Sequence, residues 1–457
     1  MGAVFKNRRY VFLETFGCPM NEDDSGRILG QLEGLNYRPT GDIDKADLIL
    51  MNTCSIREKA EHKVYSALGR FKCIKAKRPD IIIGVGGCVA QQQGERLLKR
   101  LAYLDIVFGT TNIHKLPEMI RNVETDRKQV SVTDLNNSLD PAEFASTQRE
   151  TSLVKAYVTI MRGCNNFCSY CIVPYVRGRE ISRRSADIID EVKGLAAAGL
   201  KEVTLIGQNV NSYGNNGNDI TFSSLLKEIC KVDGIERIRF TTSHPKDLSE
   251  ELLYIFHEEK KACRHIHLPI QSGSNFILEK MQRGYSREQY LSKIELLRKL
   301  YPDISITTDV IVGFPAEREN DYLDTINMIE SVEFDNIFSF KYSSRPNTKA
   351  ATFDDHITDD IKSERLLNLQ EIQKNITLKK NRMMIGGLKE VLVEGKAKID
   401  DGKFTGRTSC NRIVNFQGNK KWIGSIKDVY IEDAYVNSLK GKVKIPAHKA
   451  GARRAFC

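Results

Sequence analysis

The chain has 457 residues, too many for one hydrophobic core, so its length suggests two to four domains. It contains no run of eighteen apolar residues, and residues 1–10 are polar and basic, which argues against a membrane span or a signal peptide and for a cytoplasmic protein. Eleven cysteines in that compartment point to metal or redox chemistry, because disulfides do not persist there. The net charge of +10 is uneven: residues 376–457 hold 18 Lys and Arg against 7 Asp and Glu, while the first 375 residues net −1. A localised basic module on a neutral body points to a polyanion partner, most simply nucleic acid.

The first 120 residues alternate strand and helix. Residues 10–16, 47–52 and 81–85 read as buried strands, followed by helices over 22–35, 57–71 and about 91–101. Apolar strands with helical crossovers predict a parallel sheet covered on both faces. Cys18, Cys54 and Cys88 each end one of these strands, 36 and 34 residues apart. In an open α/β sheet the loops at the carboxyl ends of parallel strands converge on one crevice, so the three thiols are expected to meet. The adjoining Gly17, Gly86 and Gly87 are expected to let backbone approach a bulky group there. The alternative is three unrelated small core residues. Residues 121–152 are polar and aperiodic and read as a linker.

Residues 153–382 alternate strand and helix six times, a pattern that predicts three-quarters of a TIM-like barrel with functional groups at the strand carboxyl ends. Directly after the first of these strands stands Gly163-Cys164-Asn165-Asn166-Phe167-Cys168-Ser169-Tyr170-Cys171, three cysteines at C-x₃-C-x₂-C spacing. Three such thiolates suit one face of a four-iron cluster and leave one iron open. A structural zinc site would bring a fourth Cys or His close behind, and none follows Cys171. The spacing resembles the radical S-adenosylmethionine (SAM) superfamily, in which SAM chelates the open iron. The resemblance makes the other polar strand ends candidate SAM contacts: Gln208 with Asn209, Ser243 with His244, Gln271 with Ser272, and Asp309 with Gly313. Arg283 joins them as a guanidinium suited to the SAM carboxylate.

Residues 383–446 change character. Val391-Leu392-Val393, Arg412-Ile413-Val414-Asn415-Phe416 and Asp428-Val429-Tyr430-Ile431 read as short strands between Gly and Asn turns, a small antiparallel β-barrel bearing the basic excess. Trp422 reads as core, residues 447–457 as a basic tail, and Cys73, Cys230, Cys263, Cys410 and Cys457 as structural.

The three-part plan, spanning residues 10–444, resembles the radical SAM methylthiotransferases: an N-terminal three-cysteine cluster domain (1–120), a radical SAM barrel, and a C-terminal TRAM-like RNA-binding barrel. Asn52-Thr53-Cys54-Ser55-Ile56-Arg57-Glu58-Lys59-Ala60, Gly84-Val85-Gly86-Gly87-Cys88-Val89-Ala90 and Arg239-Phe240-Thr241-Thr242-Ser243-His244-Pro245 narrow the likeness to the branch acting on isopentenyladenosine in tRNA. Gly313-Phe314-Pro315-Ala316-Glu317-Arg318 departs from the pattern, which has Thr where Arg318 stands, at a helix start. The resemblance implies two 4Fe-4S clusters, one on Cys164, Cys168 and Cys171 that reduces SAM to a 5′-deoxyadenosyl radical, and one on Cys18, Cys54 and Cys88 that delivers a methylthio group. The implied substrate is a tRNA anticodon stem-loop carrying isopentenyladenosine, with Phe16 lining a pocket for the isopentenyl arm. A reductant must supply the electron, no membrane is involved, and a monomer is expected. Competing functions are a sister methylthiotransferase acting on threonylcarbamoyladenosine or a ribosomal protein, or a non-catalytic iron–sulfur RNA-binding sensor.

Overall fold

The computed structural model describes residues 8–55, 58–135, 154–215, 217, 219–397 and 402–444, with the side chains of 56–63 left aside. The chain opens with β1 (Arg9–Thr15), α1 (Pro19–Glu33), β2 (Tyr37–Pro39), β3 (Leu48–Thr53), α2 (Glu58–Lys77), β4 (Ile82–Gly87), α3 (Cys88–Gln93), α4 (Glu95–Arg100), β5 (Ile106–Phe108), α5 (Leu116–Asp126) and β6 (Val130–Val132). These strands form one sheet in the order β2-β1-β3-β4-β5-β6, every pairing parallel. The alternating side chains of β3 and β4 enter two cores. Ile49, Met51, Ile83 and Val85 pack with Phe71 on one face, while Leu48, Leu50 and Ile82 pack with Ile28 and Leu32 on the other. The helix expected over 91–101 is two short helices broken at Gly94, whose φ is 51°. The span expected as a linker from residue 121 begins inside α5 and contains β6, which adds the sixth strand; residues 136–153 lie outside the described residues.

The middle of the chain runs through β7 (Lys155–Thr159), β8 (Met161–Arg162), α6 (Val173–Arg177), β9 (Ile181–Ser182), α7 (Ser185–Ala197), β10 (Glu202–Ile206), α8 (Phe222–Cys230), β11 (Arg237–Phe240) and α9 (Glu250–Glu258). It continues with β12 (His265–His267), α10 (Asn275–Lys280), α11 (Arg287–Leu300), β13 (Ser305–Val312), α12 (Glu319–Val332), β14 (Asn336–Lys341) and α13 (Asp359–Arg382). Two three-stranded parallel sheets, β11-β10-β7 and β12-β13-β14, are joined by the parallel bridge Ile238↔Ala262. They make the expected partial (β/α)₆ barrel. Outward-facing Val203, Leu205, Ile238, Ile266 and Ile306 share one core with Ile188, Val192 and Leu225 on the helices.

The last unit is a closed barrel of β15 (Leu388–Lys396), β16 (Lys403–Thr408), β17 (Ile413–Gln417), β18 (Ile426–Ala434) and β19 (Leu439–Val443), in the order β15-β16-β17-β19-β18. Its seam β17·β19 is parallel, whereas the sequence predicts antiparallel pairing throughout. The β17–β18 connection crosses the barrel end and brings β18 beside β15, so β19 closes the gap running the same way as β17. Trp422 packs against this core, as expected. Arg237 and Arg239, at the start of β11, donate to the backbone carbonyls of Arg407, Thr408 and Ser409, and Arg412 pairs with Asp335. The β16–β17 turn is thereby locked against the amino end of the larger barrel. The tail from residue 447 lies outside the described residues.

Candidate functional site

Cys18, Cys54 and Cys88 follow the carboxyl ends of three adjacent strands, β1, β3 and β4, and all three line one cavity of about 600 Å³. Cys18 caps α1 and Cys88 begins α3, so both thiols sit where backbone N–H groups favour a negative charge. The strand ends are tied together by an amide pair: Asn21 donates to Asn52 Oδ1 at 3.0 Å, and Asn52 returns a bond to the Asn21 carbonyl at 2.8 Å. Gly17 has φ 131°, and a Cβ there would stand 2.4 Å from Cys54 Cβ, so only glycine lets these two loops approach. A hydrogen bond with Cys54 pulls the Cys18 thiol down to about 6, against the effect of burial and with help from the charge of Arg177. Burial pushes Cys88 up, opposed by Arg177.

Arg177 is therefore part of this site, although it stands only six residues past Cys171. Its side chain is 3 % exposed and pairs with buried Asp24 at 2.7 Å. Burial works against its charge, but Asp24, Cys88 and Cys18 hold the guanidinium protonated. It closes α6, the short helix that starts immediately after the Cys164–Cys171 loop, and α6 packs through Ile172 and Val176 on Cys88. Thr110 donates to the Val176 carbonyl at 2.6 Å and fixes the helix to the N-terminal sheet. A lone Arg before Gly178 gives little sign of this role in sequence.

The second thiol set lies on the loop after β8. Gly163 has φ 77° and a Cβ there would meet the Arg179 carbonyl at 2.0 Å, so the loop's entry requires glycine. Burial raises the Cys164 thiol to about 11 and Cys171 to about 12, so both are neutral until a metal displaces their protons. Among the described residues no three His, Cys, Asp or Glu side chains converge tightly enough to hold one metal ion. Three soft thiolate ligands at this spacing suit an iron–sulfur cluster better than a hard cation.

The candidate SAM contacts divide into two groups. Gln208 accepts from the Gly163 N–H at the head of the cysteine loop, and its Nε2 is buried without a partner, as is the hydroxyl of Ser243. Unsatisfied buried polar atoms beside the loop fit a polar ligand that completes them. Arg283 is turned inward instead. It donates to Cys168 Sγ at 3.3 Å, the Pro269 carbonyl at 2.8 Å and Tyr285 at 3.2 Å, so the protein itself uses the fork expected to face a SAM carboxylate. Gln271 is buried with φ 72°, and its backbone bridges to Val310. Asp309 sits below the rim in the barrel lumen, 3.5 Å from His267. His244 lies 3.9 Å from Cys168 Sγ and is held neutral, its pKa pushed down to about 2 by burial and the Arg283 charge.

The cavity runs from Cys18, Cys54 and Cys88 past Ile206, Gln208 and Pro269 into the lumen, where it meets His267, Asp309 and Phe338. Phe338 and Phe340 carry no motif that singles them out in sequence, yet the alternation of Asn336-Ile337-Phe338-Ser339-Phe340 places both on one strand face. Phe16, the residue expected to line an apolar pocket, packs instead against the core of the N-terminal sheet.

Comparison with known proteins accounts for each part. Residues 10–109 match the uncharacterized protein family UPF0004, residues 158–329 the radical SAM superfamily, and residues 382–444 the TRAM domain. Among solved structures, the fold is shared with the radical SAM methyltransferase TsrM from Kitasatospora setae, at TM-score 0.55 and 15% identity over 75% of this chain and 74% of that one. The cobalamin-dependent SAM radical enzyme OxsB follows at TM-score 0.53 and 14% identity over 81% and 56%. Among curated proteins, the tRNA-2-methylthio-N(6)-dimethylallyladenosine synthase of Geotalea uraniireducens is 52% identical over 95% of this chain and 99% of its own. That of Geobacter metallireducens is 51% identical over 96% and 99%. Identity at about one residue in two, sustained from the N-terminal thiols to the end of the small barrel, means that the chain belongs to the tRNA-2-methylthio-N(6)-dimethylallyladenosine synthase family of radical SAM enzymes.

Proposed function

We infer that this chain replaces the hydrogen on carbon 2 of isopentenyladenosine, at position 37 beside the tRNA anticodon, with a methylthio group. The observation that carries the reading is the meeting of Cys18, Cys54 and Cys88 on the wall of a cavity that leads into a radical SAM barrel. The target C–H bond is aromatic and non-acidic, so side-chain acid–base chemistry has no purchase on it. Two 4Fe-4S clusters and SAM would supply, when bound, the radical and the sulfur and methyl groups, with the electrons drawn from an external reductant. The chain's own residues bind and orient. Cys164, Cys168 and Cys171 would hold one cluster and Cys18, Cys54 and Cys88 the other. Gln208 and Ser243 offer the polar contacts for SAM beside the first. Arg177 and Asp24 keep a compensated charge between the two sites. The base enters from a single-stranded loop, whose extruded nucleotides proteins read readily, and lysines of the small barrel hold the phosphates.

Paired triple variants test the reading. With Cys18, Cys54 and Cys88 changed to Ala, the reduced protein is expected to cleave SAM to 5′-deoxyadenosine but to make no methylthioadenosine in tRNA. With Cys164, Cys168 and Cys171 changed, 5′-deoxyadenosine is expected to disappear. Iron content falls by about half in each. Methylthiolated tRNA from the first variant would sink the assignment.

A further inference from the structure

The lumen has one apolar wall. Period-two alternation turns Asn336, Phe338 and Phe340 of β14 into the cavity and sends Ile337 to the core behind. The facing positions on the neighbouring strands are polar: Thr307 pairs in register with Asn336, Asp309 with Phe338, and His267 with Thr307. Phe338 is nonetheless 45 % exposed, a large apolar ring with no packing partner sufficient to cover it. Its one aromatic contact among the described residues is edge-on to His267, at 5.9 Å. Ile206 stands in the same cavity on β10. An uncovered aromatic inside a cavity, rather than on a convex surface, marks the place where an apolar ligand group lies.

We propose that Phe338 and Phe340, with Ile206, receive the five-carbon isopentenyl arm of the target adenosine and make the enzyme selective for tRNA that carries it. The inference rests on the substrate reading above. Carbon 2 of the base must face the thiol end of the cavity, where Cys18, Cys54 and Cys88 stand. The arm leaves the ring from the exocyclic nitrogen on carbon 6, two ring positions away, and so points away from that end and into the lumen. The polar wall formed by His267 and Asp309 remains for the edge of the ring. The outermost strand of the sheet, β14, has only β13 beside it, and a cleft of about 340 Å³ runs along it toward α13, giving the nucleotide a lateral way in.

The test compares kcat/KM on the same tRNA with and without the isopentenyl group, for the reconstituted wild-type protein and for Phe338→Ala, Phe338→Leu and Phe340→Ala. The wild type is expected to prefer the arm-bearing tRNA. Phe338→Ala is expected to slow that substrate roughly tenfold or more, the scale on which an apolar pocket discriminates, and to slow the arm-less one much less. Phe338→Leu, which keeps apolar volume and the fold, is expected to retain part of the preference. Cleavage of SAM without tRNA is expected to be unchanged in all three. Equal slowing on both tRNAs, or a matching fall in SAM cleavage, would overturn the assignment of the arm to this wall. A wild type that treats both tRNAs alike would instead remove the substrate reading itself.

Discussion

Arg177 links the two thiol sets structurally, because it is carried by the helix that leaves one and its side chain ends against the other. Its partner Asp24 is as deeply buried, so removing either alone strands a charge in the interior. Arg177→Met is expected to destabilise the metal-free protein by about 3–5 kcal/mol, and Arg177→Met with Asp24→Leu to recover most of that, as buried pairs generally behave. Urea unfolding of the wild type and the two variants measures it, and a double variant no more stable than the single would contradict the pairing. The histidine His265 yields a pH prediction. Burial first, then the charges of Arg239, His267, Arg407 and Arg412, hold its pKa far below the ordinary value. The unfolded chain binds the proton and the folded one does not. Stability is therefore full above about pH 6.5 and falls as the pH drops, by at most about 1.4 kcal/mol per unit. His265→Asn is expected to flatten that slope between pH 6.5 and 5; an unchanged slope would show that other groups set it. At this scale the sequence puts the thiols at strand ends, where the structure has them, and the glycines beside them make room for the protein's own atoms. Gly17 does press against Cys54, but Gly86 leaves room for the ring of Phe108 and Gly87 for the backbone of Thr53. A glycine announces a close approach without naming what approaches.

The start of α12 explains why an unusual residue is tolerated there. Arg318 has no oxygen with which to cap the helix, and the carboxylate of Asp321 takes over by accepting from the Arg318 N–H at 3.0 Å and its Nε at 3.2 Å. The same residue accepts from the Ser274 hydroxyl at 2.6 Å, tying α12 to the head of α10. Asp321→Ala is expected to cost about 0.5–2 kcal/mol, the range for a lost cap. Arg318→Thr is expected to recover part of it, because a threonine hydroxyl can cap from that position; thermal unfolding checks both. Elements long enough to show a period are legible. The fourteen residues of α11 and the eight of β13 are enough to establish the two patterns within the six predicted alternations. The three-residue strands β2, β5 and β6 and the six-residue α10 escape such reading, being shorter than any period that would betray them. The parallel seam of the small barrel has no local signature, because it depends on which strand a crossing loop happens to reach.

Across the whole molecule, the basic excess lies on one unit but that unit is not a detachable appendage. No described helix is long and apolar enough to cross a membrane. Removing residues from 383 onward would take away the carbonyls that satisfy Arg237 and Arg239 and bare the amino end of the larger barrel, so truncation would disturb that barrel as well as release tRNA. Substitution at the surface separates the two effects. Lys440, Lys442 and Lys444 project outward from the β19 side of the barrel while Leu439, Gly441 and Val443 point in. Changing these three lysines to Gln is expected to weaken tRNA binding and to flatten its salt dependence by roughly 0.7–0.9 for each phosphate no longer neutralised. SAM cleavage without tRNA should be untouched, and an unaltered salt slope would move the phosphate-binding surface to another face. The docking of the two barrels has one more property. Arg237 and Arg239 reach for main-chain oxygens, so they read the turn at 407–409 by the path of its backbone, and Arg412 just beyond it adds a side-chain ion pair with Asp335. Substitution elsewhere on the exposed face of the small barrel leaves this joint untouched, while buried Thr408, and Arg407, which donates to Glu394 and Asn411, hold the path that the arginines read. Over evolutionary time the RNA-binding unit can drift to suit new tRNAs without losing its seat on the enzyme.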